Sequence, residues 1–407
     1  MSGVPSFGGD DFLTKMLGDL MRLMPTARGF QWPIAHQLAA SAAAGDEPDP
    51  NPDPQDRIRI EELSDVAAMH VADVTGMQPS PAGRAPRLVL TSRGEWARRT
   101  LETWHPVLER LNTASVPPAP SPQGVAEAGG EPAASDAGGG DEEEARRLAE
   151  LLGRWAGAVM PMMMAMQVGS AVGHLARNAL GLYEVPVAPA RDDEILVVGA
   201  NLARFAEDWS LRQDDLSLWL CVHEIAHHAV LSRPHVAARL AELVVSHAEK
   251  VRPDTATLEA LMRGADPSDP SSMMDLFAEP SALSAPADAS ELQAVRAQLD
   301  ALVATISGYA EHVTTTVATR LIGAHTPINE AMRRRRVGRG RGERVAEELF
   351  GLRLDQESVD RGARFVQGVL ERSGDAQLAR LWLDEASLPT PAELDAPGLW
   401  LARLELG

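Results

Sequence analysis

Two histidines and a glutamate near the middle of the chain have the types and the spacing of a metal-dependent hydrolytic site. They are His223, Glu224 and His227, in the sequence His-Glu-Ile-Ala-His. On a helix, residues four apart lie one turn above each other, so both imidazoles can face a single ion. Such a pair binds zinc, and the neighbouring carboxylate can take a proton from water. The motif therefore predicts a zinc site with Glu224 as general base.

The residues around this motif predict a buried helix. Apolar runs occupy positions 218–222 and 229–231, and a helix that is apolar on most sides packs inside a protein. Burying two histidines and a glutamate without a partner would be costly, which favours a metal. Asp214 or Asp215 offers an N-cap, and Pro234 follows the helix end. We expect Cys221 to pack in the core, and His228 to pack or to support a metal ligand rather than bind the ion itself.

The composition excludes several classes of partner. The chain has 407 residues with 58 acidic and 38 basic side chains, a formal charge of -20. Such a charge opposes binding to nucleic acid and to anionic membranes. The arginines at 333–336 are therefore interpreted as a solvated helix end paired with Glu343, Glu347 and Glu348. A single cysteine excludes an internal disulfide, and the longest apolar stretch, 159–172, is too interrupted to span a membrane, so we expect a cytoplasmic protein.

Helical patterns dominate the chain. Aromatic residues make up only 4% of it, and the abundant Ala, Leu and Arg favour helices over sheets. Short strands are predicted at 88–90 and 195–198, and a long helix at 292–319. His247 and His325 are expected at the surface.

Two histidines leave a catalytic zinc short of a protein ligand. The residues after His227 do not continue as the longer motif that supplies a third histidine from the same segment. The best source is the segment 307–313 on the long helix, which carries Glu311 and His312 amid small and apolar neighbours. Glu311 is predicted as the third ligand or as a residue that orients His223 or His227, with His312 as a substitute ligand.

Several segments together resemble the zincin-like metalloproteases, a zinc-dependent family of unknown substrate. The resemblance rests on 223–228 with the preceding Leu218 and Trp219, on Gly-Leu-Tyr-Glu-Val-Pro at 181–186, on 308–313, and on Leu-Pro-Thr-Pro at 388–391. Some members are labelled as associated with coenzyme F420 biosynthesis. The resemblance implies a mainly α fold, a zincin-like metallopeptidase core with at most a small β-sheet.

We expect four regions within this framework. They are an N-terminal helical region (1–112), a flexible acidic linker rich in Pro, Gly and Ala (113–144), a zincin-like metal-binding core (145–343) and a C-terminal helical region (344–407).

One position departs from the family. Its members often carry Glu-Gly where this chain has Ser307 and Gly308, and that Glu is a natural zinc ligand. Glu311 lies one helical turn further on and could reach the metal instead.

The sequence thus supports two hypotheses. The first is a zinc peptidase or related amide hydrolase that acts on a peptide or protein substrate. In it Glu224 moves the proton, and Tyr309 either donates a hydrogen bond to the oxyanion or packs in the core. The second is a degenerate, non-catalytic scaffold that binds a partner, which Ser307 and the acidic linker favour.

Overall fold

The computed structural model describes residues 29–45, 48–78, 80, 83, 85–115, 160–251, 289–338 and 340–406. The chain forms two compact units. One comprises Met1–Gln31, Glu109–Ala165 and Val251–Ala287, most of which lies outside the described residues. The other comprises Trp32–Leu108, Met166–Lys250 and Asp288–Gly407, and it contains every site residue considered below. The predicted linker falls outside the described residues from position 116 onward, and the predicted region boundaries remain predictions.

Two short strands form a parallel pair. β1 (Arg87–Thr91) and β2 (Glu194–Val198) align so that Leu88 lies opposite Ile195. On the other side of β2, Gly181 forms an antiparallel bridge with Val197. The sheet therefore brings the segment around Gly181 alongside a buried strand. Both predicted strands are confirmed.

The rest of the regular structure in the described residues is helical, as predicted, so the expected mainly α fold with a small sheet is confirmed. The α-helices are α1 (Trp32–Ala44), α2 (Pro54–Thr75), α3 (Arg93–Ser115), α4 (160–176), α5 (Gly199–Asp208), α6 (Gln213–Leu231), α7 (Pro234–Val251), α8 (Ala289–Leu321), α9 (Thr326–Val337), α10 (Arg341–Phe350), α11 (Gln356–Leu378), α12 (Pro391–Asp395) and α13 (Pro397–Leu406). Local signals set several helix ends. Asp53 caps α2 by accepting a hydrogen bond from Gln55 N at 2.7 Å, and Gly76 ends it with φ 65°. Among these helices, none has the length and apolar character needed to cross a bilayer.

Helix α6 carries the His-Glu-x-x-His motif and is enclosed on most sides. Fourteen of its nineteen residues are buried, Cys221 among them, as predicted. It contacts α2, α5, α8 and β2. The predicted cap at Asp214 or Asp215 is wrong, because the helix begins at Gln213 and both aspartates lie inside its first turn. There their charge still favours the positive end of the helix dipole.

Helix α8 fixes the distance between the motif helix and the C-terminal helices. It contacts both α6 and α11. A Cβ on Gly308 would lie 2.2 Å from the carbonyl carbon of Gly362, and one on Gly362 would lie 1.7 Å from the carbonyl oxygen of Ala304. No side chain fits in either place, so the backbones of α8 and α11 touch. This contact fixes the position of α8 and with it the positions of Ser307 and Glu311 relative to α6.

The prediction that His247 lies at the surface is wrong. Its side chain is only 3% exposed, and its Nε2 accepts a hydrogen bond from Arg296 Nε at 3.2 Å. The physical reason is helical periodicity, because His247 shares one face of α7 with the buried Leu240 and Val244. His325, by contrast, is partly exposed.

Replacing Gly362 by Ala should lower the free energy of unfolding by about 3 kcal/mol or more, because the added methyl group forces two packed backbones apart. Gly398→Ala is the matched control, since a Cβ there meets no atom within 4 Å. That control should be neutral or stabilising by up to about 1 kcal/mol. Urea unfolding of both variants tests this expectation. Equal stability of the two variants would contradict the close approach of α8 and α11.

Candidate metal centre

The two motif histidines face each other across one turn of α6. Their ring centroids are 4.4 Å apart at an interplanar angle of 51°. The ring of Trp219 stacks on His223 at 5.0 Å, and the ring of Tyr183 stacks on His227 at 5.9 Å. His227 Nδ1 lies 3.0 Å from the carbonyl oxygen of His223. Because a carbonyl only accepts, Nδ1 must carry the proton, which leaves the lone pair of a neutral ring on Nε2.

Both imidazoles are neutral at physiological pH. Burial lowers the pKa of His223 to about 4, and the positive charge of Arg336 acts in the same direction. Burial likewise lowers the pKa of His227 to about 3, with a further contribution from His223. Metal binding requires the deprotonated form of histidine. Burial therefore holds both side chains in the state that a metal needs.

Glu224 is enclosed by the segment that follows α4. Its side chain is 2% exposed, and Oε2 accepts a hydrogen bond from Tyr183 N at 3.0 Å. A Cβ on Gly181 would lie 2.3 Å from the Glu224 carboxyl carbon, so only glycine leaves room for the carboxylate. Burial raises the pKa of Glu224 to about 7, although the Tyr183 hydrogen bond opposes this shift. A carboxyl group with such a pKa can both accept and release a proton near neutral pH.

One buried atom at this site has no hydrogen-bond partner among the described residues. His223 Nδ1 is shielded from solvent and lies 3.5 Å from Glu224 Oε1. Buried polar groups without a partner are uncommon in native proteins and call for an explanation. The unpartnered nitrogen, the two neutral imidazoles and the adjacent carboxyl group together fit a zinc ion.

These side chains line a small cavity of about 80 Å³. The cavity mixes apolar walls with ionisable groups, and its lining residues are Tyr183, Glu184, Pro186, Leu220, His223, Glu224, His227, Ser307, Met332, Arg335, Arg336, Glu343, Leu354 and Val359. Ser307, the position that departs from the family pattern, thus lies in the same cavity as both histidines.

Glu311, the predicted third ligand, is held by an arginine. Its Oε2 accepts a hydrogen bond from Arg336 Nη2 at 3.2 Å. Its charge raises the pKa of His223, although burial outweighs that effect. Across the described ranges, no three or more His, Cys, Asp or Glu side chains are grouped so as to hold a metal ion. His223, Glu224 and His227 line one cavity, whereas Glu311 is outside its lining and forms an ion pair with Arg336.

Tyr309 and His312 do not line the cavity. Tyr309 is 3% exposed and packs edge-on against Trp382, with ring centroids 5.2 Å apart. His312 is partly buried, and burial lowers its pKa. The sequence left two roles open for Tyr309, hydrogen bonding to the oxyanion or packing in the core. Its contact with Trp382 matches the packing role.

The arginine run on α9 only partly matches its interpretation. Arg333 and Arg334 are solvated, as predicted, with 54% and 66% of their side chains exposed, but they pair with Asp360 and Glu330 instead of the predicted glutamates. The prediction is wrong for Arg335 and Arg336, which are 18% and 14% exposed and line the cavity. Helical spacing explains the difference, because Arg335 and Arg336 follow the buried Met332 on one face of α9.

Arg335 contacts a cavity residue that the sequence analysis did not single out. It donates two hydrogen bonds of 2.8 Å to the carboxylate of Glu184, which also accepts from Leu180 N at 2.8 Å. Burial alone would raise the pKa of Glu184, but Arg335 holds it below its ordinary value. Gly181, Tyr183 and Glu184 all belong to the segment 181–186 that contributed to the family resemblance. In the sequence, only the family resemblance of this segment pointed to these residues. Their contacts with Glu224 and Arg335 become visible only in the structure.

The model of the zincin-like metallopeptidase family matches residues 30–401 of this chain. The chain belongs to this family. A solved structure from Chloroflexus aurantiacus, described as a candidate hydrolase with a novel fold, is similar, with a TM-score of 0.59 and 20% identity over 92% of this chain and 99% of that one. At this identity the similarity shows a shared fold. No curated protein matches the chain. Family membership confirms the resemblance inferred from the sequence.

In zinc-free protein, Glu224→Gln should stabilise the fold above neutral pH by a few kcal/mol and have no effect below pH 4. The wild-type carboxyl has a pKa of about 7 when folded and an ordinary value of 4.5. The unfolded chain thus releases its proton first as the pH rises, and the stability of the wild type falls between those values. Glutamine keeps the acceptor for Tyr183 N but cannot ionise. Urea unfolding at several pH values, with a chelator present, tests this expectation, and the exposed Glu242→Gln is the control. The expectation is refuted if the free energies of unfolding of E224Q and wild type depend on pH in parallel.

Proposed function

We propose that this protein is a zinc-dependent hydrolase of the metallopeptidase type. The observation that carries the proposal is the convergence of two neutral imidazoles and a buried carboxyl group of raised pKa on one cavity. Family membership supports hydrolysis as the general class of reaction. The proposed substrate is a peptide or protein, and the chain's net charge of -20 disfavours nucleic acid.

Each residue of the motif has a distinct task in this proposal. His223 and His227 hold the zinc ion through imidazole nitrogens. A zinc ion bound in this way lowers the pKa of water and polarises a carbonyl group. Glu224 takes a proton from the attacking water and delivers it to the leaving amine, and Tyr183 N fixes the orientation of its carboxylate. Burial of Glu224 and His227, which are 2% and 4% exposed, strengthens these interactions.

The third protein ligand has to come from outside the motif. We propose Glu311, which would have to exchange its contact with Arg336 Nη2 for the metal. That exchange costs an ion pair, so zinc should bind more weakly than in a site with three prepositioned ligands. Tyr309 as oxyanion donor remains a prediction from sequence, and its packing against Trp382 does not favour it.

A specific observation supports a second candidate function. Ser307 lies in the cavity where family members often carry glutamate, and Glu311 is already paired. A chain that had lost strong metal binding could retain the fold and act by binding a partner. This alternative predicts a stable protein whose cavity holds zinc weakly.

Glu224→Gln should leave zinc bound while lowering turnover about 100- to 10,000-fold, because general base catalysis typically contributes this much. Zinc content by elemental analysis and cleavage of a quenched-peptide library measure the two effects. Glu242→Gln, on the exposed face of α7, should leave both unchanged. Full turnover by E224Q would remove Glu224 from the mechanism, and stoichiometric zinc without any cleavage by the wild type would favour the binding function.

Metal affinity should separate the candidate third ligands. If Glu311 coordinates zinc, Glu311→Gln lowers zinc affinity about tenfold or more, as expected for loss of a carboxylate ligand or its close support. Ser307→Glu should raise zinc affinity, because it adds a carboxylate to the cavity that both histidines line. Competition with a chromophoric chelator measures both. Unchanged affinity in E311Q would exclude Glu311 as a ligand, and unchanged affinity in S307E would show that position 307 does not reach the ion.

A further inference from the structure

Tyr183 touches both the proposed base and a proposed zinc ligand. Its backbone nitrogen donates to Glu224 Oε2 at 3.0 Å, and its ring lies nearly parallel to that of His227, at an interplanar angle of 16°. The residue is 4% exposed and lines the cavity. Any shift of Tyr183 would therefore change both its hydrogen bond to Glu224 and its stacking contact with the His227 ring.

The phenol oxygen of Tyr183 is held by two polar contacts with residues other than His223, Glu224 and His227. It accepts a hydrogen bond from Ala190 N at 2.9 Å and lies 2.7 Å from His228 Nδ1. The other nitrogen of His228, Nε2, lies 3.2 Å from Asp193 Oδ1. An ionised carboxylate only accepts, so Nε2 carries the proton of the neutral ring and Nδ1 accepts from the tyrosine hydroxyl. Hydrogen bonds thus run in one direction from Tyr183 through His228 to Asp193.

The far end of this chain of hydrogen bonds is fixed by an unusual backbone conformation. Asp192 and Asp193 both have positive φ, 55° and 57°, directly before β2. Non-glycine residues rarely adopt this region, and two in succession occur only where the surrounding structure holds them. Ser80 Oγ also donates to Asp193 Oδ1, at 2.8 Å. The carboxylate is therefore anchored independently of His228.

His228 connects the anchored carboxylate of Asp193 to the hydroxyl group of Tyr183. It lies on α6 next to His227 and is 1% exposed, and Ser232 Oγ is a third polar neighbour at 3.0 Å from its Nε2. The sequence predicted that His228 would not bind the ion itself, and its contacts are directed at Tyr183 and Asp193 instead. Neither the motif nor the proposed reaction uses this buried histidine.

We propose that Tyr183, His228 and Asp193, together the Tyr183 relay, position Glu224 and His227 for zinc binding and proton transfer. The three side chains are positioning residues, since they act through Glu224 and His227. The proposal rests on the proposed zinc-dependent function. Groups that hydrogen-bond behind metal ligands orient them and are themselves required for tight binding.

The test uses the full-length protein and Co²⁺ as the probe, so it needs no substrate. Tyr183→Phe removes only the hydroxyl group, and Asp193→Asn keeps the shape and tolerates the positive φ. Each variant should bind Co²⁺ about tenfold more weakly than wild type and show shifted visible absorption bands, because the His227 ring loses its fixed orientation. His228→Gln is measured alone as a third variant, with the same expectation. The double variant Tyr183→Phe with His228→Gln should bind Co²⁺ no more weakly than the weaker-binding of its two single variants, because both changes break one chain of contacts.

His247→Gln is the matched control. His247 is also a buried, hydrogen-bonded histidine, with Arg296 as its partner, and it does not line the cavity. It should lower the melting temperature and leave Co²⁺ affinity and spectrum unchanged. The relay proposal is overturned if its variants lose only thermal stability and keep wild-type Co²⁺ binding, or if the double variant shows simple additivity. Absence of Co²⁺ binding by the wild type would instead refute the zinc-dependent function on which the relay depends.

Discussion

The arrangement of this protein depends on the burial of three ionisable side chains on one helix. His223, Glu224 and His227 lie on α6, which is enclosed by other helices and by β2. Removing such groups from water disfavours their charged forms, and each of the three pKa values moves toward neutrality of the side chain. The same burial that is costly for the fold keeps the imidazoles neutral and raises the pKa of the carboxyl group, which are the states that the proposed zinc-dependent reaction requires.

The segment after α4 offsets part of that cost. Gly181 leaves room for the Glu224 carboxylate, and Tyr183 N donates to it. The next residue, Glu184, accepts two hydrogen bonds from Arg335 and so attaches the segment to α9. A buried ion pair of this type adds little net stability, but breaking it leaves an uncompensated charge. The segment is thereby held between α6 and α9 by contacts with Glu224 and Arg335.

Close backbone packing decides which residues of α8 face the site. Gly308 and Gly362 allow α8 and α11 to touch. With α8 held in this way, Ser307 lines the cavity, whereas Glu311, one turn further on, contacts Arg336. Arginines bring positive charge to a cavity proposed to bind a cation, and Glu184 and Glu311 balance it. In the proposed site, the strength of metal binding would thus depend on ion pairs between helices as well as on the motif itself.

The sequence by itself determined the motif helix, its burial, both strands and the mainly α fold. These features depend on local spacing: apolar runs around His223 and His227, β-branched residues at 195–198, and helical periodicity elsewhere. Tertiary structure alone decided the partners of the site. Residues 181, 183 and 184 lie about forty positions before the motif, and Arg335 and Arg336 lie more than one hundred after it. No local sequence pattern predicts which side chains contact each other across such separations. The relative positions of α6, α8 and α9 are set by packing, which depends on all of their faces at once.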